Sequence, residues 1–119
     1  MMNKDGKVVQ PTAEAFAAAA VNADWKGTPG YSVILANQPG AESWPMTAAT
    51  FILMYKKASD PAASAEALKF FAWAYGSGDD MAKELIYIPM PDSVVKDVEA
   101  MWASDIVGPD GKPIFAGSM

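Results

Sequence analysis

The sequence predicts an α/β chain of three to four helices and two to three strands. Three observations carry this. Helix starts marked by proline recur at Pro11-Thr12, Asp60-Pro61 and Pro91-Asp92-Ser93. Between the first two lies a continuous apolar run of strand length, Thr50-Phe51-Ile52-Leu53-Met54-Tyr55. Clusters rich in Gly, Pro, Asn and Asp separate the periodic segments. Unbroken apolarity, rather than alternation, marks a strand covered on both faces, as in a sheet flanked by helices. So few strands cannot complete a doubly wound domain, which implies part of a larger fold.

Each element follows from its residues. Asp5-Gly6 inside Asn3-Lys4-Asp5-Gly6-Lys7 is a tight-turn signal, with Val8 and Val9 as a short strand after it. A domain opening in mid-hairpin is a first hint that the chain begins inside a larger fold. Thr12 caps a helix whose positive first turn holds Glu14 and whose inner face is Ala13, Phe16, Ala17, Ala20 and Val21. It should stop near Ala23, before Lys26-Gly27-Thr28-Pro29-Gly30. Tyr31 to Ala36, with β-branched Val33 and Ile34, reads as a strand closed by Asn37-Gln38-Pro39-Gly40. Trp44 precedes proline and is therefore extended.

The buried strand at 50–55 ends in Lys56-Lys57. Asp60 and Pro61 then start a helix with a stripe of Leu68, Phe71, Ala72 and Tyr75, broadened by Phe70, Trp73 and Ala74. Gly76 or Gly78 ends it. Asp79-Asp80 opens a shorter helix through Leu85, and Pro89-Met90-Pro91 breaks the chain. The last helix turns Val94, Val95, Val98, Met101 and Trp102 inward and Lys96, Asp97 and Glu99 to water. Pro109-Asp110-Gly111-Lys112 is a turn, and Phe115 in the tail tucks against the body.

Composition excludes several chemistries. The 119 residues contain no His and no Cys, and all nine basic side chains are Lys. An ordinary zinc site, a thiol redox motif, a disulfide framework and a His-dependent triad are thereby excluded. Without Arg there is no bidentate fork, so anion recognition falls to Lys, hydroxyls and backbone N–H groups. A net charge of −5 and a pI near 4.5 argue against nucleic acid. No segment reaches the length of a membrane span. The polar start Met1-Met2-Asn3-Lys4-Asp5-Gly6-Lys7 implies a chain without a signal peptide. No cofactor and no catalytic residue is expected.

The candidate sites each have a plainer reading. Asp79-Asp80 could hold a cation, but a carboxylate at a helix start is the commoner use. Asp5 and Asp110 precede turn glycines, which explains both. Ser43, Thr47 and Thr50 surround Trp44-Pro45. Their hydroxyls could hold an oxyanion, or cap the chain as it enters a strand. Lys56-Lys57 could attract an anion, or solvate a strand end. Phe70, Phe71, Trp73, Tyr75 and Trp102 could form a platform for a sugar or base, but their helical spacing favours core packing. The eight methionines read mostly as gap-fillers.

The stretch Trp44-Pro45-Met46-Thr47-Ala48-Ala49-Thr50-Phe51-Ile52-Leu53 resembles the phosphate-binding protein of bacterial phosphate ABC transporters. The resemblance continues through Leu68-Lys69-Phe70-Phe71-Ala72-Trp73-Ala74-Tyr75 and Tyr87-Ile88-Pro89-Met90-Pro91-Asp92-Ser93-Val94-Val95 to Asp110-Gly111-Lys112-Pro113-Ile114. Upstream, Asp5-Gly6-Lys7-Val8-Val9, Pro11-Thr12 and Ala23-Asp24-Trp25 also fit. Single pieces are weak signals; the ordered set is specific and covers essentially the whole chain.

That resemblance implies the C-terminal third of a two-lobed periplasmic-binding-protein fold of type II. Residues 1–50 would end the second lobe, 51–57 would cross between lobes, and 58–119 would complete the first. It also implies inorganic phosphate and ABC transporter permease subunits as partners of the full-length protein, outside the cytoplasmic membrane. The family's phosphate ligands come from earlier in the chain, so no ligand residue carries over and only Ser43, Thr47 and Thr50 remain as candidates. Ala116-Gly117-Ser118-Met119 departs from the family's usual ending near Phe115. A strand covered on both faces in the whole would be bare in the part, so the isolated chain is expected to self-associate. The competing reading is a stand-alone helical protein-interaction module without phosphate binding. An enzyme, such as a phosphatase, lacks the usual activating groups.

Overall fold

The structure is a computed structural model and describes residues 1–116. It contains four α-helices: α1 (Ala13–Val21), α2 (Pro61–Ser77), α3 (Asp79–Glu84) and α4 (Asp92–Asp105), with a 3-10 turn at Pro29–Tyr31. The chain divides into two compact units. The first is Met1–Phe51 with Ile88–Val94; the second is Ile52–Tyr87 with the chain from Val95 onward. The departure noted at 116–119 falls mostly outside the described residues.

The helix starts stand where capping chemistry puts them. Thr12 Oγ1 accepts from the Ala15 N–H at 3.3 Å and Asp60 Oδ1 from the Ala63 N–H at 3.0 Å. Of the two glycines that could end α2, Gly78 does so. Its N–H donates to the Ala74 carbonyl at 2.8 Å, and a Cβ there would press on that same oxygen, whereas one on Gly76 meets nothing. Asp79 and Asp80 occupy the first turn of α3 without making a side-chain cap bond.

The end of α3 is unusual. The Tyr87 N–H donates to Ala82 and the Ile86 N–H to Lys83, both at 2.9 Å, which is a Schellman arrangement. Its left-handed position is taken by Ile86 (φ 64), where glycine is the ordinary occupant. Ile86→Gly should therefore stabilise the chain by about 1 kcal/mol in chemical denaturation, because Ile86 is 91% exposed and loses no packing.

The predicted strands do not form. Among the described residues there are only isolated bridges, Met2 to Val8, Lys57 to Val107 and Val107 to Pro113. Residues 8–9 make a hairpin arm with that single bridge. Tyr31 belongs to the 3-10 turn with φ 57, and residues 32–35 stay irregular. Val33 and Leu35 are buried while Ile34 is exposed, so the alternation survives without a ladder. Residues 50–55 make no backbone hydrogen bond to another segment among the described residues. Extended backbone becomes a strand only by pairing, and nothing pairs with these residues here.

In the first unit, α1 buries Ala15, Ala19 and Ala20. The Trp44 N–H donates to the Ala15 carbonyl at 2.9 Å, and its ring lies 6.1 Å from Phe16. Trp25 is also buried, and its Nε1–H donates to the Ala20 carbonyl at 2.7 Å.

The second unit has its own core of Leu68, Trp102, Ile106 and Phe115. Trp102 stacks on Tyr75 at 6.0 Å and meets Phe115 edge-on at 5.4 Å, so the tail does tuck inward. Phe71 completes the ring cluster, while Phe70 and Trp73 face solvent rather than broadening the inner stripe. Burial, helped by the Glu99 charge, raises the Tyr75 hydroxyl above the ordinary tyrosine value. The folded state then holds this proton more tightly than the unfolded chain. Stability contributed here is complete below about pH 10 and falls as pH rises through the tyrosine range. Alkaline titration of unfolding should show this loss, and Tyr75→Phe should remove it.

Candidate functional site

Ser43 lies in a polar knot that joins three parts of the first unit. It is fully buried, and its Oγ donates to the Pro39 carbonyl at 2.6 Å and accepts from Asn22 Nδ2 at 3.1 Å. Asn3, also buried, donates from Nδ2 to the carbonyls of Gly40, Ala41 and Ser43. Its Oδ1 accepts from the N–H groups of Asp5 and Lys7, at 3.1 and 3.0 Å. The Asp5 carboxylate takes the Gly40 N–H at 3.2 Å. One carboxamide therefore shapes the Asp5-Gly6 turn and fastens it to the loop before Trp44. Asn3 and Asn22 carried no site signal in the sequence; an Asn two residues before Asp-Gly reads only as turn chemistry.

The three hydroxyl candidates do not converge on one another. Thr47 is buried and donates to the Trp44 carbonyl at 2.9 Å, while Thr50 is exposed. The proton of Ser43 and that of Thr47 are both directed to backbone carbonyls, which is the capping reading of these residues. No buried side-chain nitrogen or oxygen among the described residues lacks a partner.

The helix starts and several lysines are likewise engaged, while Lys57 of the Lys56-Lys57 pair is exposed. Each helix N-terminus carries a carboxylate in its cap or first turn: Glu14 on α1, Asp60 on α2, Asp79 and Asp80 on α3, Asp92 on α4. These charges already complement the positive helix ends and would repel an incoming oxyanion. Self-directed backbone and Thr12 hydrogen bonds lower the Glu14 pKa and keep it ionised. Lys56 pairs with Asp105 at 2.7 Å, which holds that carboxyl below its usual range. Lys69, Lys83 and Lys112 each lie beside an acidic side chain. Among the described residues, no group of three or more acidic side chains is arranged to hold a metal.

Comparison with known proteins identifies the family. The chain is 44% identical over 115 residues, 97% of its length, to "Phosphate-binding protein PstS" of Pasteurella multocida strain Pm70. Proteins of the same name from Xylella fastidiosa strain 9a5c and Haemophilus influenzae strain Rd are 45% and 42% identical over 88% and 89% of the chain. The chain belongs to the phosphate-binding protein family. It spans only 33%, 29% and 32% of these relatives, about one third of their length. No family model matches it. Membership of the phosphate-binding family brings the periplasmic-binding-protein fold with it, and the resemblance read from the Trp-Pro and Tyr-Ile-Pro-Met-Pro motifs is borne out.

Proposed function

We propose that this chain is the C-terminal portion of a substrate-binding protein of a phosphate ABC transporter. It supplies scaffold rather than phosphate ligands. The observation that carries this is identity of 42–45% with phosphate-binding proteins over nearly the whole chain. In the complete protein, inorganic phosphate is captured outside the cytoplasmic membrane and passed to permease subunits. Binding, not catalysis, is its task. Among the described residues, no helix is long and apolar enough to cross a membrane.

Residues 1–50 end the second lobe of a type II, two-lobed fold, 51–57 cross between lobes, and 58–119 complete the first. The division of the compact units at Phe51 and Ile52 supports this placement, though the first unit also takes in Ile88–Val94. Committed hydroxyls and acidic helix starts support ligands that lie elsewhere. A stand-alone interaction module has no comparable support. Left alone, the chain self-associates through its exposed apolar side chains.

A chimera tests this. The chain replaces the matching third of the Pasteurella multocida relative, and phosphate is titrated by calorimetry with sulfate as control. Saturable phosphate binding by the chimera, with none by the 119-residue chain alone, is the expected result. A folded chimera that binds no phosphate would overturn the reading. Specific binding by the chain alone would return the site to Ser43, Thr47 and Thr50.

A further inference from the structure

The two Asp-Gly-Lys triplets fold into the same turn with different bracing. In each, the glycine takes positive φ, 72 at Gly6 and 77 at Gly111. Each glycine N–H donates three residues back, to the carbonyls of Asn3 and Gly108, both at 3.0 Å. A second backbone bond closes each turn: the Asn3 N–H reaches the Lys7 carbonyl at 2.8 Å, and the Gly108 N–H reaches Lys112 at 2.9 Å. The first position is where they differ. The Asn3 carboxamide takes the Asp5 and Lys7 N–H groups, and the Asp5 carboxylate holds another segment through the Gly40 N–H. Gly108 has no side chain to offer. Asp110 Oδ1 therefore takes the Lys112 N–H itself at 3.1 Å, and Oδ2 lies 3.6 Å from Lys112 Nζ. This Asx ring runs through the Gly111 nitrogen, so the carboxyl is folded along the peptide that follows it.

We propose that Asp110-Gly111 is a site of spontaneous covalent modification, where the Gly111 nitrogen closes on the Asp110 side chain and converts it to isoaspartate, while the Asn3 knot protects Asp5-Gly6. The step balances with water alone. The Gly111 nitrogen bonds to Cγ of the protonated carboxyl, the Cγ–OH bond breaks, and the hydroxyl leaves as water with the amide proton. Water then opens the five-membered imide. Opening at the α-carbonyl leaves the main chain running through the β-carbon, one methylene longer and with no net change in mass. A Cβ on either glycine would meet nothing, so room for the ring does not separate the two turns; their tethers do. Asp5 is tied to a loop 35 residues away, Asp110 only to its own turn. That turn is the tip of a hairpin whose arms meet at Val107 and Pro113 and whose Ile114 N–H donates to Ile106 at 3.2 Å. The added methylene falls between Gly108 and Lys112, so it loosens the bond that joins them and the pairing behind it.

The test ages the folded 119-residue chain in warm neutral buffer and, in parallel, the same chain in concentrated urea. Isoaspartate is tagged with S-adenosylmethionine and an L-isoaspartyl methyltransferase, and located by peptide mapping with electron-transfer fragmentation. In the folded chain the tag should accumulate at Asp110 about fivefold or more faster than at Asp5, which must first release a long-range bond and the brace around it. In urea the knot is gone and the gap should narrow, since the reacting triplets are identical. The purified isoaspartate form should exchange the Gly108 and Ile114 amides with deuterium faster than the parent chain. No isoaspartate at Asp110 in the folded chain, a rate at Asp5 equal to or above it, or the same gap in urea would each overturn the proposal.

Discussion

Trp102→Ala should destabilise the chain by about 3–5 kcal/mol, read as a lower denaturation midpoint by circular dichroism. Trp102 is the hub of the second unit: it is 7% exposed and touches Phe71, Tyr75 and Phe115 through ring contacts of 5.4 to 6.5 Å. Its removal takes away one large apolar surface and three aromatic pairings at once, and leaves a cavity beside fully buried Leu68. Trp73→Ala is the matched control. Trp73 is 52% exposed and meets only Phe70 among the ring contacts, so the same truncation should cost about 1 kcal/mol or less. Equal losses would show that Trp102 is not the centre of this core.

The second large effect belongs to the first unit. Asn3→Ala should cost about 2–4 kcal/mol, since it removes five hydrogen bonds and takes the side-chain donor from the buried Ser43 carbonyl. Gly40→Ala strikes the same knot from the other side. Gly40 has φ 110, and a Cβ there would collide with Asn22 Nδ2 and lie 2.7 Å from Ser43 Oγ. Asn3→Asp is the sharper probe. It keeps the shape but turns a donor into a charge facing three carbonyls, so part of its loss should return as pH falls and the carboxyl is protonated.

Where the chain's own local chemistry decides, the sequence is legible. Thr12 and Asp60 cap their helices, Gly6 and Gly111 take positive φ in the Asp-Gly turns, and Leu68 with Trp102 forms a core. It misleads where pairing decides. Residues 50–55 have the composition of a doubly covered strand, but a strand is a relation between segments, and no partner segment is written near them. Phe70 and Trp73 mislead as well: helical spacing alone favours core packing, yet both stay more than half exposed among the described residues. The candidate site misleads for a different reason. A hydroxyl beside a proline says nothing of whether its proton is free, and Ser43 and Thr47 turned theirs to nearby carbonyls.

The bridge from Lys57 to Val107 sets an order of events. The Val107 N–H reaches the Lys56 carbonyl at 2.7 Å, the Ala58 N–H reaches Val107 at 2.8 Å, and Val107 also pairs with Pro113. The first two of these bonds join positions about fifty residues apart in the chain, so closing them costs loop entropy that α2 and α3 do not incur when they form. Loop entropy therefore favours the helices forming first, with the clasp between the segment after α4 and the one before α2 closing last; pulsed hydrogen exchange during refolding should protect α2 before the Ala58 and Val107 amides.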